Sequence, residues 1–209
     1  DVVYKREDGS YLTFTKNADG SYSAPVGYNL QLKKIAYEIT LEDETKLTVY
    51  DWEITDASQK KLRFDRYGVL TSITDVDGFV TTFDYDENYN LSKIVTPSGK
   101  EFHITLDEFG YITKIILPNG KAVKYQYDNV GNLIAVTNPK GDTRTYQYDD
   151  KHQMISWADE KGNTVIQNTY DDKGRVVKQI DANGGVATLT YGKNTTTTVD
   201  NEGNKTIYK

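Results

Sequence analysis

The chain has 209 residues, with 25 basic and 31 acidic residues for a net charge of −6, and it contains no cysteine. The lack of cysteine excludes disulfides, thiol catalysis and cysteine-based zinc sites. No basic run is longer than Lys33-Lys34 or Lys60-Lys61, which argues against binding of nucleic acid. No stretch approaches the length of apolar sequence that crosses a bilayer, so we expect no membrane insertion by this segment.

Residue types that favour β-strands dominate the composition. Thr, Tyr, Val, Ile, Phe and Trp supply 80 of the 209 residues, and most Gly, Asp and Asn lie in short clusters typical of turns. This predicts a folded all-β protein and argues against a helical bundle or a doubly wound α/β fold. The chain begins at Asp1 with neither an initiator Met nor a signal-peptide h-region, and we interpret it as a segment of a larger protein.

The first part of the chain is rich in predicted strands but lacks the regular period of the later part. Turn signals at Asp8-Gly9 and Asp19-Gly20 flank a short β-prone run, and a second alternating run precedes a turn at residues 42–44. We therefore interpret residues 1–61 as a divergent β-rich leading or cap segment. Residues 62–209 are interpreted as an array of β-hairpin repeats.

That array is defined by an aromatic or apolar residue followed by Asp, which recurs every 21 or 22 residues. The six copies are Phe64-Asp65, Tyr85-Asp86, Leu106-Asp107, Tyr127-Asp128, Tyr148-Asp149 and Tyr170-Asp171. A glycine stands 13 residues after each Asp, at Gly78, Gly99, Gly120, Gly141, Gly162 and Gly184. A further glycine stands three residues after the Asp in four units, at Gly68, Gly110, Gly131 and Gly174, whereas Tyr89 and His152 take this place in the other two.

Each unit has two alternating runs separated by turns, so one unit predicts one antiparallel β-hairpin. The Asp is expected to close one turn by accepting hydrogen bonds from backbone N–H groups, and the later glycine is expected to supply a positive φ in the other. A flat sheet of so many hairpins could not cover its own apolar face, so we expect the sheet to curl, to close or to meet another layer. A degenerate seventh unit begins at Tyr191-Gly192, and its polar run at residues 195–198 is expected to form a terminal or edge strand.

The units Tyr127-Asp128-Asn129-Val130-Gly131-Asn132-Leu133 and Tyr170-Asp171-Asp172-Lys173-Gly174-Arg175-Val176 resemble the signature of the YD-repeat, or RHS-repeat, family. The turn Asn138-Pro139-Lys140-Gly141 belongs to the same signature. The resemblance extends over roughly residues 62–209. It departs from the family pattern at Tyr89, His152 and Leu106, and the motif Arg is present only at Arg175.

The resemblance implies that such repeats form a curved, spiralling sheet that winds into a hollow shell. In bacterial members this shell encloses a variable C-terminal toxin. It therefore predicts a non-enzymatic structural segment of a large secreted or surface protein, located outside the cell or in the bacterial cell wall. The implied partners are other parts of the same polypeptide, namely further repeats and the C-terminal effector. It implies no cofactor and no catalytic residue.

A second hypothesis comes from the aromatic residues. Tyr125 and Tyr127 share one strand face, as do Tyr146 and Tyr148 one unit later, so four rings could form a ladder that stacks on sugars. The chain would then be a cell-surface adhesion module that binds cell-wall or host glycans. The same ladder is also explained as a stripe that holds successive hairpins together.

Enzymatic and metal sites have weaker support in the sequence. The pairs Asp149-Asp150 and Asp171-Asp172 resemble paired carboxylates, but adjacent strand-end residues point to opposite faces and suit solvated turns better. The segment 86–90 imitates the start of an EF-hand loop yet lacks the required Gly and Glu. The two histidines, His103 and His152, belong to different units, so we predict no catalytic set and no metal site.

Overall fold

The computed structural model describes all residues from 1 to 209, which form twenty β-strands and no helix. The strands of the first half are β1 (Val2–Lys5), β2 (Tyr11–Lys16), β3 (Tyr22–Ser23), β4 (Leu30–Thr40), β5 (Lys46–Asp56), β6 (Lys61–Phe64), β7 (Leu70–Thr74), β8 (Val80–Tyr85), β9 (Leu91–Val95) and β10 (Glu101–Leu106). Those of the second half are β11 (Ile112–Ile116), β12 (Ala122–Tyr127), β13 (Leu133–Thr137), β14 (Thr143–Tyr148), β15 (Met154–Ala158), β16 (Thr164–Tyr170), β17 (Val176–Asp181), β18 (Val186–Tyr191), β19 (Thr196–Val199) and β20 (Lys205–Tyr208). The prediction of an all-β fold built from antiparallel hairpins is confirmed. The chain contains no helix that is long and apolar enough to cross a membrane.

The chain divides into two compact units, Asp1–His103 and Ile104–Lys209. In the first, β1, β2 and β3 form a small antiparallel sheet, and the strands from β4 onward pair each with the next along the chain. The longest pairing joins β4 and β5 over eleven residues each, and Trp52–Thr55 of β5 also pair with β6 on the other side. The sequence-based boundary between residues 61 and 62 stays a prediction.

The apolar core lies almost entirely in the first unit. Phe14 of β2 is fully buried and packs with Leu32 of β4 and Ile54 of β5, so the small sheet lies over the long hairpin. Partly buried residues surround this cluster, including Tyr4, Trp52 and several aliphatic side chains. The alternation in β2, where Leu12 and Phe14 are buried and their neighbours exposed, explains why one face of this strand meets the core.

In the second unit, every strand from β11 to β20 pairs antiparallel with its neighbour in sequence. Here Ala135 is the one hydrophobic residue that is buried. Most other side chains of these strands are half-buried. The repeats therefore depend on pairing between strands rather than on a packed core.

One expectation about the last strands is wrong. The polar run at residues 195–198 does not form a terminal or edge strand, because β19 pairs with β18 on one side and with β20 on the other. The ladder hydrogen bonds come from the backbone, and β-branched Thr is a good strand former, so a polar run is accepted inside a sheet whose faces are only half-buried.

Candidate functional site

The repeated turn that contains the motif Asp has one geometry in all six units. In the first, the backbone N–H of Asp65 donates to the carbonyl of Val69 at 2.9 Å, and the N–H of Gly68 donates back to the carbonyl of Asp65 at 3.0 Å. This is a type I turn followed by a residue in the left-handed region, the three-residue loop that joins antiparallel strands with the correct twist. The turns at the other ends of the hairpins have the same pattern, with Asn138 and Gly141 as an example.

The carboxylate of the motif Asp organises this turn from inside. Oδ1 of Asp86 accepts hydrogen bonds from the N–H groups of Asn88 at 2.9 Å and Asn90 at 2.8 Å. The same pair of bonds, from the residues two and four positions later, is made by Asp65, Asp107, Asp128, Asp149 and Asp171. One oxygen thus satisfies two backbone donors that would otherwise need water.

These contacts also change the acidity of several of the carboxyl groups. In Asp128 and Asp171 the pKa lies below its ordinary value, first because a side chain four residues later, Asn132 or Arg175, donates to the carboxylate. The pKa of Asp86 is lowered chiefly by the backbone N–H of Asn90. The charged form is the one these turns stabilise, because each donor points at an ionised oxygen.

The fourth position of each motif turn lies in the left-handed region of φ. Gly131 takes φ +87°, and the two departures from the motif adopt the same conformation, with φ +61° for Tyr89 and +62° for His152. Non-glycine residues rarely occupy this region, so these two positions carry backbone strain. At His152 a contact compensates, because Nδ1 lies 2.7 Å from Oδ1 of Asn132 in the preceding turn.

The glycines 13 residues after each motif Asp occupy the same place in the opposite turns. Gly78, Gly99, Gly120, Gly141, Gly162 and Gly184 all have φ between +74° and +98°. No atom outside the adjacent residues comes within 4 Å of where a Cβ would stand at any of them. Glycine is favoured at these positions because their φ is positive, and not because a side chain would lack space.

The motif tyrosine joins three strands. Tyr85 is the last residue of β8 and pairs with Leu91, the first residue of β9, across the motif turn. Its hydroxyl donates a 2.7 Å hydrogen bond in the other direction, to the carbonyl of Leu70 at the start of β7. The tyrosine therefore closes the open end of the β7–β8 hairpin while it pairs with the strand beyond the motif turn.

This hydrogen bond from the hydroxyl of the motif tyrosine to a carbonyl at the start of the preceding strand, called here the tyrosine tie, recurs along the chain. The equivalent bonds run from Tyr127 to Ile112, from Tyr170 to Met154 and from Tyr191 to Val176. Tyr148 pairs with Met154 in the same way but makes no equivalent hydrogen bond. A β-bulge immediately precedes five of the motif aromatics, at Phe64, Tyr85, Tyr127, Tyr148 and Tyr170. Because a bulge bends its strand and increases the local twist, each one redirects the aromatic side chain next to it.

The second unit has a row of contacts between successive motif turns. The side chain of Tyr111 lies over Gly131, and Gln153 Nε2 would stand 2.8 Å from a Cβ at Gly174. His152 and Asn132 make the corresponding contact between the intervening turns. In each case a residue of one turn touches a residue of the next, and at Gly131 glycine is required by both φ and space.

The four tyrosines of the glycan hypothesis are all half-buried. Tyr125 pairs with Val136 and Tyr146 with Trp157, whereas Tyr127 and Tyr148 pair with the first residues of the next strands. The rings do not stack on one another. Tyr127 instead stacks on Tyr111, with ring centroids 4.8 Å apart and planes at 22°.

The remaining polar candidates lie apart from each other. His103 contacts Glu101 at 3.1 Å, and His152 contacts Asn132. The Asp149 carboxylate is engaged by the N–H groups of its own turn. No group of three or more His, Asp or Glu side chains is placed to hold a metal ion.

The features that the sequence did not reveal are the tyrosine ties and the contacts between successive turns. Each tyrosine lies 15 or 16 residues after the residue whose carbonyl it bonds, and this separation was visible in the sequence. The separation alone does not predict the bond, because the direction of the tyrosine side chain depends on the bulge beside it. The repeated residues thus define a protein built from tandem hairpins whose recurrent side chains close turns and join strands. This is a structural repeat protein of the β-hairpin class.

The chain belongs to the teneurin YD-shell family, whose model matches residues 1–206. Comparison with curated protein sequences found no match. Among solved structures, the chain is similar to the crystal structure of TcdB2-TccC3-Cdc42, with a TM-score of 0.48 and 14% identity over 94% of this chain and 14% of that one. It is also similar to a Tc holotoxin pore from Photorhabdus luminescens, with a TM-score of 0.43 and 14% identity over 94% of this chain and 13% of that one. The chain therefore spans about one seventh of the solved chains it matches.

Proposed function

We propose that this segment is part of the wall of a YD-repeat shell that encloses and helps to deliver a C-terminal toxin or effector of the same polypeptide. The observation that carries the proposal is the sparse core of the second unit, in which Ala135 alone among the hydrophobic residues is buried. A sheet with apolar side chains needs a second layer or an enclosed content. Other parts of the same chain are the natural source of that covering.

The recurrent tyrosine tie supports a continuous wall of this kind. Each tie joins the two strands of one hairpin at its open end and lies beside the first residue of the next strand. The contacts from turn to turn add a second line of connection along one edge. Stability in such an array comes from neighbouring units, so it suits a long repetitive wall.

We infer that the segment itself is non-enzymatic and that the parent protein is secreted or exposed at the bacterial cell surface or in its wall. The motif carboxylates are engaged in backbone hydrogen bonds, which is a structural use of these residues. A hydrolase activity whose rate depends on any repeat Asp would contradict the first inference. Labelling of the native protein on intact cells tests the second.

The proposal is tested on the full parent protein by limited proteolysis. We expect the region after the repeats to be cleaved much more slowly within the full chain than as an isolated fragment, because the wall excludes the protease. The double variant Tyr127→Phe with Tyr170→Phe lacks two of the tyrosine ties. Its matched control is Tyr67→Phe, which alters an exposed tyrosine. Equal cleavage of the region in both contexts, or a reading frame with no region beyond the repeats, would contradict the proposal.

A glycan-binding adhesion module is the alternative suggested by the sequence, through Tyr125, Tyr127, Tyr146 and Tyr148. As a four-ring platform this stays a prediction. Substitution of all four by Ala should abolish glycan binding without unfolding the protein if it holds. The half-buried state of the rings and the tie at Tyr127 favour a structural use for this set.

A further inference from the structure

The first strand of the small sheet has an open edge. β1 pairs with β2 on one side only, in a sheet of the order β1–β2–β3. In the turn after β1 the N–H of Arg6 donates to the carbonyl of Ser10 at 2.8 Å, and bonded pairs alternate along an antiparallel ladder. The even-numbered residues of β1 therefore bond to β2, whereas the backbone N–H and C=O groups of Val3 and Lys5 point away from it. An edge of this kind is a template for one more strand.

Two cavities lie beside this edge, between β1 and the longer sheet that begins at β4. The larger has a volume of about 460 Å³ and the smaller about 230 Å³. Both are lined by Tyr4 and Lys5 of β1 and by Ile54 and Phe64 of the longer sheet. The rings of Tyr4 and Phe64 meet edge to face, with centroids 5.9 Å apart. Because the cavities share these residues, they form one depression, called here the β1 groove.

The floor of the β1 groove is apolar. Leu62 and Phe64 of β6 and Leu70 and Ile73 of β7 line it, and all four side chains are half-buried. Leu70 and Ile73 do not belong to the core cluster around Phe14, so the longer sheet continues past β1. A strand that paired with β1 would lie over these side chains. Every second side chain of that strand would point at the floor, and apolar residues there would remove it from water.

The charges around the β1 groove favour an acidic partner. The charged residues that line it are the basic Lys5, Arg6 and Lys60 and the acidic Glu7 and Asp56. Asp56 accepts hydrogen bonds from the N–H groups of its own turn, and Arg6 forms an ion pair of 3.0 Å within the turn after β1. Lys5 and Lys60 form no ion pair within the chain. An acidic residue in an added strand is therefore matched, and a basic one is disfavoured.

We propose that the β1 groove binds an extended segment of a partner protein, which adds to β1 as a fourth strand of the small sheet. The segment has apolar side chains at alternate positions and an acidic residue opposite Lys5. Its backbone bonds to Val3 and Lys5 set the register, and its apolar side chains cover the floor. The site goes beyond the shell proposal, and the failure of either leaves the other unaffected.

A second copy of this chain does not suit the groove. The small sheet rests on the longer sheet, and the longer sheet continues past β1 to Leu70 and Ile73 of β7. Two β1 strands paired edge to edge would bring the longer sheets of the two copies into the same space. A single extended segment has no such second layer.

The test is titration of the whole chain with the capped peptide Thr-Val-Glu-Val-Thr-Val-Thr, by calorimetry and by NMR. We expect saturable binding and slower hydrogen exchange at the N–H groups of Val3 and Lys5, because these donors become bonded. Two further peptides are N-methylated, one at its valine amides and the other at its remaining amides, so that each blocks one edge of the strand. The peptide blocked on the edge that faces β1 should bind about tenfold or more weakly than the other.

Variants of the chain test the same contacts. Val3→Pro removes an outward N–H, which an edge strand tolerates, and should weaken binding of the peptide about tenfold. Lys5→Glu should weaken it about threefold, and a peptide with Lys in place of Glu should restore the loss. Lys33→Glu is the matched control, because Lys33 is an exposed lysine of the same unit that lines neither cavity.

Three results would overturn the proposal. One is no saturable binding of the peptide by the unmodified chain. Another is equal binding of the two N-methylated peptides, which would identify adsorption to an apolar surface without strand pairing. The third is self-association of the chain that Val3→Pro abolishes while the peptide does not bind, which would make a second copy the occupant. If Val3→Pro lowers the thermal unfolding midpoint, the N-methylated peptides decide the matter, because they leave the protein unchanged.

Discussion

The hydroxyl of Tyr127 donates a hydrogen bond of 3.0 Å to the carbonyl of Ile112, fifteen residues earlier in the chain. Ile112 is the first residue of β11 and Tyr127 is the last residue of β12, so the bond closes the open end of this hairpin. The tyrosine of the YD motif is therefore more than an apolar residue beside a turn. It holds the hairpin together at the end where the strands would otherwise separate.

The same tie at Tyr85 supports a prediction on stability. Tyr85→Phe keeps the ring but leaves the Leu70 carbonyl without its 2.7 Å donor, so we expect a loss of about 1 kcal/mol in the free energy of unfolding. Chemical denaturation measures it. Tyr67→Phe is the control, because Tyr67 is 63% exposed and has no such bond. Equal stability of the two variants would show that the tie contributes nothing.

Two glycines at the same position of successive motif turns allow the destabilisation caused by a left-handed backbone to be measured apart from that caused by a steric contact. Gly110 and Gly131 have φ of +84° and +87°, but a Cβ at Gly131 would collide with the Tyr111 side chain, whereas a Cβ at Gly110 would meet nothing within 4 Å. Gly110→Ala should cost about 1–2 kcal/mol from the left-handed backbone alone. Gly131→Ala should cost more, and this excess should disappear in a Tyr111→Ala background, where the comparison is with Tyr111→Ala alone because that change by itself already loses the stacking on Tyr127. Chemical denaturation of Gly110→Ala, Gly131→Ala, Tyr111→Ala and the double variant measures these costs. If Gly110→Ala is the more destabilising single change, the contact with Tyr111 is not the cause.

The core of the first unit depends on one side chain. Phe14 is fully buried between β2, β4 and β5, and Phe14→Ala should lower the free energy of unfolding by about 3–5 kcal/mol, as for other buried aromatic residues. Phe79→Ala, at a residue 59% exposed, should change it by less than about 0.5 kcal/mol. Thermal and urea unfolding of both variants measure the contrast. Similar losses in the two would mean that the small sheet does not form the main core.

The repeated carboxylates predict a loss of stability in acid. In Asp128 and Asp171 the pKa is lowered in the folded protein, so the folded state binds fewer protons than the unfolded chain. The stabilisation is complete above the unfolded pKa of about 4 and is lost as the pH falls through the lower, folded value. Unfolding midpoints measured from pH 7 down to pH 2 should therefore fall most steeply below about pH 4.

Asp128→Asn is the informative variant for this pH dependence. It keeps an oxygen that accepts the N–H groups of Val130 and Asn132 but cannot be protonated, so the loss in acid should become shallower. Asp172→Asn is the control at an exposed acidic residue beside a motif Asp. The same slope in Asp128→Asn and in the unmodified chain would show that this carboxylate is not among the groups that govern acid unfolding.

Local chemistry explains how much of this structure could be predicted from the sequence. The hairpin period, the turn positions and the role of Asp as acceptor all arise within about five residues, where a carboxylate meets nearby N–H groups and a glycine supplies positive φ. The left-handed conformation of Tyr89 and His152 follows from their position in the repeat, although neither residue is glycine. The family resemblance arose from this same local pattern, and the match over residues 1–206 confirms it.

Only the tertiary structure decided the contacts between residues far apart in the chain. The tie from Tyr127 to Ile112 and the contact of Tyr111 with Gly131 join residues of different turns and strands, and a bulge immediately precedes Tyr127. A bulge shifts the register by one residue and redirects the side chains beyond it, and alternation in the sequence does not record it. The internal position of β19 was hidden for a related reason, because backbone pairing on both sides leaves no mark on the polarity of the side chains.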